Sequence, residues 1–307
     1  MQEKLKIAIL IDAFEVKKWI YDSIKTVKDL ETCEIKLIIL NKKTNEIVKR
    51  KTKRKISYYK YFRKIDSFFN KKNKSSQFLY ELNDLIDKSI PVLEVNPFQK
   101  SYKDYFSKSV ISQMQQEYNC DIGLRFGFRV LSGQILDVFP FGVLSFHHGD
   151  NNKYRGQPSG FWEVYEKNYI SSIVLQRLTE TLDGGDVIYK AFLRTNMSST
   201  LYNKDELLNI SSIIIKKVFS NLQYIKTSNS FNNKTVFDFY YRKLYKVPTL
   251  IQILIFLIKY ISRKIILKIK SLFLYKQWFI LYTENKNFSI YKYKKIIPPK
   301  GYYYADT

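Results

Sequence analysis

The sequence predicts an α/β protein built on a mostly parallel, doubly wound sheet. Three observations carry this reading. The chain opens β-α-β: Lys6 to Ile11 is a compact apolar strand, Glu15 to Val27 is helix-like, and Ile35 to Leu40 is a second strand, an order whose crossover makes the strands parallel. Strand-length apolar runs then recur at Pro91–Val95, Asp121–Phe126, Phe141–Phe146, Ile170–Leu175 and Val187–Phe192, bounded by turn-forming residues. Finally, 307 residues at 45% hydrophobic content are enough to bury a sizeable core.

The turn after the first strand reads Asp12-Ala13-Phe14-Glu15, without glycine. A dinucleotide site would place a Gly-rich phosphate turn there, so NAD is excluded. Lys42 to Lys74 is basic with interleaved rings (Tyr58, Tyr59, Tyr61, Phe62, Phe68, Phe69). Such a run can stack single-stranded nucleic acid, but a solvated helix or loop with its rings packed inward is the expectation, and nucleic acid is not expected as a partner. Phe78 to Ile86 reads as a short helix, and so does Ser107 to Tyr118. After the Val187 strand comes a helix in which Asn203, with Glu206 three residues on, resembles a capping box; Leu207, Leu208, Ile210, Ile214, Val218 and Leu222 form its apolar face,.

The net charge is +24, from 52 basic and 28 acidic residues. Because the excess is mostly lysine, amid abundant Asn, Ile, Tyr and Phe, three sources stay open: the codon bias of an AT-rich genome, an anionic substrate, or an anionic membrane. Cys33 and Cys120 lie far apart and near no ligand cluster, so neither a disulfide framework nor a metal site is expected. The opening MQEKLKIAIL enters a strand too soon for a signal peptide, and a cytoplasmic location is expected.

The chain is organised around residues 142–186. Its two histidines, His147 and His148, both sit here, and nine of its ten glycines fall between Gly123 and Gly185. The strand Phe141–Phe146 ends at the histidines, and a Leu182-Asp183-Gly184-Gly185-Asp186 turn follows the next apolar run. A histidine at a strand end and a carboxylate on a glycine turn are candidates for an acid–base pair if the fold joins them.

At these residues the chain resembles the folate-dependent formyltransferase family, in which a strand ends in Asn-x-His, an aromatic-Arg-Gly follows, and a Leu-Asp-x-Gly turn comes about 36 residues after the histidine. Ser145-Phe146-His147, Tyr154-Arg155-Gly156 and Leu182-Asp183-Gly184-Gly185 take those places, with Asp183 falling 36 residues after His147. Upstream, Gly127-Phe128-Arg129-Val130-Leu131-Ser132-Gly133 resembles the loop lining the family's folate pocket. The resemblance runs from about Cys120 to Thr195 and is absent after about residue 225. It implies a Rossmann-like, mostly parallel sheet of the formyltransferase type. It also implies 10-formyltetrahydrofolate as cosubstrate, no metal, and an amine as acceptor.

In site residues the resemblance implies His147 and Asp183 as catalytic, with Ser145 where the family has its carbonyl-holding asparagine. Gly127, Phe128, Arg129, Val130, Leu131, Thr181 and Leu182 would contact the folate, and Tyr154, Arg155 and Gly156 the acceptor. Ser145 is a departure. Losing one such hydrogen-bond donor lowers a rate by about two to three orders of magnitude, which keeps a non-catalytic binding module as an alternative. Arg125 and Arg129 flank the Gly127 turn and read equally as carboxylate or phosphate contacts and as surface ion pairs. The glycinamide ribonucleotide branch of the family lacks its phosphate turn here. The methionyl-tRNA branch usually carries a C-terminal β-barrel. Elimination leaves a nucleotide-linked amino sugar, as in surface-glycan assembly, as the expected acceptor.

The domain reading is 1–226 catalytic, 227–246 linker, 247–276 basic amphipathic helix and 277–307 strand-rich tail. The uncharged apolar stretch Val247–Ile258 is short of the roughly 20 residues that span a bilayer. Its lysine-rich continuation suits an anionic membrane surface or packing against the protein itself or a second copy. Strands are expected at Gln277–Tyr282 and Phe288–Tyr291. This tail resembles the opening of a propeller-like domain that follows formyltransferase domains in some bacterial proteins, which would make the chain part of a longer one.

Overall fold

A computed structural model describes residues 4–42, 58–70, 75–181, 185–221, 224–225, 244–273, 280–282 and 294–296. Seven strands form the central sheet: β1 (Leu5–Ile11), β2 (Cys33–Asn41), β3 (Val92–Val95), β4 (Ile122–Arg125), β5 (Val143–His147), β6 (Ile170–Arg177) and β7 (Asp186–Arg194). Their order is β7-β6-β5-β4-β1-β2-β3. The strands from β5 to β3 pair in parallel, while β6 and β7 are antiparallel additions. The α/β reading with a mostly parallel sheet is therefore what the structure has.

The strands read as unbroken apolar runs because both faces of the sheet are covered. Alternate residues of β1 divide between two cores. Ile7, Ile9 and Ile11 join one with Ile24, Val27, Val218 and Phe219, while Ala8 and Leu10 join the other with Leu37, Ile111, Met114 and Ile135. The first core is closed by helix α1 (Lys18–Asp29). Helix α2 spans Tyr58–Phe69, and α3 (Lys108–Gln113), which runs on into a wider turn at Met114–Tyr118, covers the second core. The remaining helices of this part of the chain are α4 (Trp162–Tyr165), α5 (Thr200–Asn209) and α6 (Ser211–Ser220). The sheet order reverses between β1 and β4, and in open α/β sheets the crevice at such a reversal, beyond the carboxyl ends of the strands, is where ligands bind.

Four local expectations are corrected. Phe78–Ile86 is not a helix: Leu79–Glu81 pairs antiparallel with Glu15–Lys17, and this pairing overrides local propensity. The same pairing trims the start of α1. Helix begins at Lys18, whose N–H is satisfied by the Phe78 carbonyl (2.7 Å), so no side-chain cap is needed,. Asn203 is not a cap. Ser199 caps α5 by accepting from the Tyr202 N–H, and Asn203 lies inside the helix and is buried. Its carboxamide donates to the Gly160 carbonyl (3.0 Å) and accepts from the Asn196 N–H (3.0 Å), tying the helix to two loops. The expected single long helix is two, α5 and α6, meeting at Ile210, and Leu222 lies outside the described residues.

On α2, Phe62 is buried and Tyr59 packs edge-on against Phe161, whereas Tyr61 and Phe68 face solvent. Asp66 of the same helix is buried and accepts from the N–H groups of Thr200 and Leu201, holding the first turn of α5. The rest of the basic run, 43–57 and 71–74, lies outside the described residues.

The chain divides into compact units at Met1–Thr249 and Leu250–Thr307. Leu244–Tyr245, in the stretch expected as linker, pairs with Arg155–Gly156, and the Tyr245 hydroxyl donates to Glu166 (2.8 Å). Gly156 has φ +95°, and a Cβ there would meet the Tyr245 carbonyl at 2.2 Å, so this approach requires glycine,. The second unit holds a helix, α7 (Leu250–Phe273), and an antiparallel pair, Ile280–Tyr282 with Lys294–Ile296. The expected strand at Phe288–Tyr291 lies outside the described residues. Among the described residues no helix is long and apolar enough to cross a membrane.

Candidate active site

A cleft of about 620 Å³ opens at the carboxyl ends of β4 and β5, beside the reversal of strand order. Its floor is a row of polar side chains that strand register brings together. Ser145 on β5 lies directly beside Arg125 on β4 and opposite Gln176 on β6, and all three line the cleft. The Arg125 guanidinium donates to the Ser145 hydroxyl (3.0 Å) and to the carbonyls of Phe128 (3.0 Å) and Arg129 (2.6 Å). Ser145 thus accepts from a cation and keeps its own hydrogen to donate. Gln176 is only 4% exposed, and its buried carbonyl oxygen has no hydrogen-bond partner. A buried carbonyl oxygen without a donor is costly unless a ligand supplies an N–H or O–H. The ladder of β6 with β7 shifts register at Leu175/Gln176, an irregularity of the kind that re-aims side chains beside sites.

His147, next along β5 on that face, is buried and lines the cleft. Its Nε2 lies 3.2 Å from the Tyr154 carbonyl oxygen. A carbonyl only accepts, so Nε2 carries the hydrogen and Nδ1 is the basic nitrogen of the neutral ring. The arrangement depends on Gly149, where a Cβ would stand 3.0 Å from the Tyr154 oxygen and 3.1 Å from His147 Nε2, wedging the pair apart. Tyr154 itself is buried. Its hydroxyl donates to Glu166 (3.1 Å) and accepts from Asn168 (3.2 Å), so it anchors the loop that holds the histidine.

Glu163 of α4 is 1% exposed, and burial, partly offset by the nearby His147, pushes its carboxyl up to about 7. Sequence reading missed this carboxyl, whose only signal is its place seven residues beyond the tyrosine-arginine-glycine motif. It also missed Gln176, and it left Arg125 undecided, because spacing along the chain does not show which residues stand side by side across strands.

Of the expected folate contacts, Val130, Leu131 and Thr181 line the cleft. Gly127, Phe128 and Arg129 build the loop behind it. The Gly127 N–H donates to the Leu10 carbonyl, Phe128 is buried against Phe106 with its N–H on Asp12, and the Arg129 guanidinium donates to the Ser101 carbonyl beside the buried Asp104. Of the expected acceptor contacts, only Gly156 lines the cleft; Tyr154 and Arg155 stand behind it. Asp183, Leu182 and Gly184 lie outside the described residues.

No protein-family model matches the chain, and no curated protein matches it. It is similar to solved formyltransferase structures. A phosphoribosylglycinamide formyltransferase from Anaplasma phagocytophilum matches at 12% identity over 72% of this chain and 87% of that one, with a TM-score of 0.47. A 4-N formyltransferase from Francisella tularensis matches at 13% identity over 71% and 69%, with a TM-score of 0.44. An N-formyltransferase from Helicobacter canadensis, solved with folinic acid and dTDP-3-aminofucose, matches at 12% identity over 73% and 65%, with a TM-score of 0.43. The chemistry assigned below rests on the residues of the cleft.

His148 behaves unlike its neighbour. Its Nε2 lies 3.2 Å from the Ser211 hydroxyl and its ring meets Trp19 edge-on. Burial, with His147 and Lys204 near, pushes its pKa from 6.5 down to about 3. The unfolded chain therefore takes up a proton between pH 6.5 and about 3 that the folded chain refuses, so this residue's contribution to stability rises with pH across that window and is lost as pH falls. Denaturant melts at stepped pH should show wild type losing stability below pH 6 more steeply than His148→Gln, by up to about 1.4 kcal/mol per pH unit. Parallel curves would show that the ring is protonated in the folded protein.

Proposed function

We propose that the chain transfers a formyl group from 10-formyltetrahydrofolate to the amine of a nucleotide-linked amino sugar. The observation that carries the reading is the Arg125–Ser145–Gln176 row beside His147. Where the formyltransferases have an asparagine, this chain has a serine. The Ser145 hydroxyl, polarised by Arg125, presents its hydrogen to the oxygen of the carbonyl under attack, where negative charge gathers,. The Gln176 carbonyl oxygen, which lacks a donor, accepts from an N–H of the attacking amine,. His147 takes the proton from that amine at Nδ1 as the new C–N bond forms, and returns it to the folate nitrogen as the old one breaks. Asp183 takes its orienting role from the family motif, and Glu163, whose carboxyl is pushed up to about 7, offsets in its ionised form the charge the ring acquires. Val130, Leu131 and Thr181 wall the folate side, and Tyr154 with Gly156 holds the loop that positions the histidine. No step calls on a metal.

The test is mass-spectrometric: purified protein with 10-formyltetrahydrofolate and a panel of nucleotide-linked amino sugars. One of them should gain the mass of one formyl group, His147→Ala should abolish the product, and Ser145→Ala should slow it by about 100- to 1000-fold. No mass gain across the panel, or a rate indifferent to His147, contradicts the reading and favours a non-catalytic binding module.

A second feature supports placing this chemistry at an anionic lipid surface. Helix α7 has no acidic residue and its sequence carries Lys259, Arg263, Lys264, Lys268 and Lys270, while Ile251, Leu254, Ile258, Ile265, Ile269 and Leu272 are each at least half exposed. Apolar side chains with interspersed cations suit a helix lying in the headgroup region. The protein should co-sediment with vesicles containing anionic lipid and not with neutral ones, and changing the five cations to glutamine should release it. Equal binding to both vesicles, or to neither, contradicts the placement.

A further inference from the structure

At the same cleft stand two ammonium groups without an anion. Lys17, which ends the short strand before α1, and Lys204 of α5 both line it. Neither makes a hydrogen bond or ion pair among the described residues. The contrast with other lysines near the site is direct: Lys103 pairs with Glu180 and Lys190 with Asp150, each at 2.8 Å. Arg63 of α2 adds a third positive charge close to Lys204. Lys204 is only partly exposed, and burial together with Lys17 and Arg63 pushes its pKa down to about 8. Lys17 is exposed and Lys204 partly stripped of water; cations gathered so in a cleft, with no carboxylate paired to them among the described residues, repel one another until a ligand supplies the opposite charge.

The turn after β1 contains no glycine, so it lacks the backbone cradle of a Gly-rich phosphate loop. Side chains must supply the charge instead. The polar row and His147 stand at the floor of the cleft and Val130 and Leu131 on its wall. The acceptor named above carries its sugar on a nucleoside diphosphate, whose paired negative phosphates match paired ammonium groups, each a point charge with three donors.

We infer that Lys17 and Lys204 form the subsite that holds the diphosphate of a nucleoside diphosphate sugar, anchoring the acceptor in the cleft that contains Ser145, Gln176 and His147. The inference rests on the proposed acceptor class but is measured without catalysis. The rival occupant is the carboxylate tail of the folate, and the arms of the test separate the two.

Titration calorimetry would use uridine, thymidine, guanosine and cytidine diphosphates and, separately, folinic acid. The proteins would be wild type, Lys17→Ala/Lys204→Ala and Lys17→Arg/Lys204→Arg, with thermal melts confirming that each is folded. At least one nucleoside diphosphate should bind wild type and be displaced by inorganic pyrophosphate. The alanine pair should weaken it by about 10- to 100-fold, the arginine pair should retain most of the affinity, and folinic acid should bind all three alike. The inference is overturned if no nucleoside diphosphate binds wild type, if the alanine pair binds it unchanged, or if only folinic acid binding falls. Lysine-dependent binding without any formyl transfer would sink the reaction proposed above and leave the diphosphate subsite standing.

Discussion

The site depends on where one guanidinium is held. Arg125 ends β4 and satisfies three acceptors at once: the Ser145 hydroxyl on the next strand and two carbonyls of the loop that follows its own. Hydrogen bonds from a charged donor are roughly twice as strong as neutral ones, and here they fix three things together. They set the path of residues 126–131, whose far end lines the cleft. They orient the serine so that its hydrogen is free for a ligand. They place a half-buried positive charge against the Ser145 hydroxyl, which on the proposed reading faces the substrate carbonyl. Asp12 completes the frame from β1 by accepting from the Phe128 N–H and from Asn41.

The two histidines show how position along one strand end decides chemistry. His147 points to the cleft side, with one nitrogen committed to the Tyr154 carbonyl, and keeps a basic nitrogen. His148 also lines the cleft but stands among Trp19, Phe146 and Ser211, where desolvation keeps it neutral. The loop that returns over them is held by contacts remote from the reaction: Tyr154 on Glu166 and Asn168, Tyr245 on Glu166, and the glycines at 149 and 156 that permit close backbone approach. The motif glycine and tyrosine are thus best understood as supports for the histidine.

The sheet was legible in the sequence because strands buried on both faces must be nearly unbroken apolar runs, and Leu5–Ile11, Cys33–Asn41 and Ile170–Arg177 fall within a few residues of where those runs end. What failed was set by tertiary partners. The exposed rings and aliphatics of Phe78–Tyr80 look helical in isolation but are claimed by the edge of Glu15–Lys17. Asn203 has the spacing of a cap, yet its four-way hydrogen bonding belongs inside the helix, because Ser199 is better placed to end it. In the site, Ser145 and His147 could be read because they lie two apart on one strand. Gln176 and Arg125 could not, because their nearness to Ser145 is a matter of register between strands, and Lys17 and Lys204 come to one cleft from a strand and a helix nearly 190 residues apart in the chain.

The central claim is that Ser145, backed by Arg125 on the neighbouring strand, polarises a formyl carbonyl. The most direct measurement is the isotope-edited infrared stretch of the labelled formyl group of a non-transferable 10-formylfolate analogue bound to the protein. The account predicts a stretch at lower frequency than in water, returning toward the water value in Ser145→Ala while the analogue still binds. A carbonyl frequency in wild type equal to that in water, or one that the substitution does not move, would contradict it.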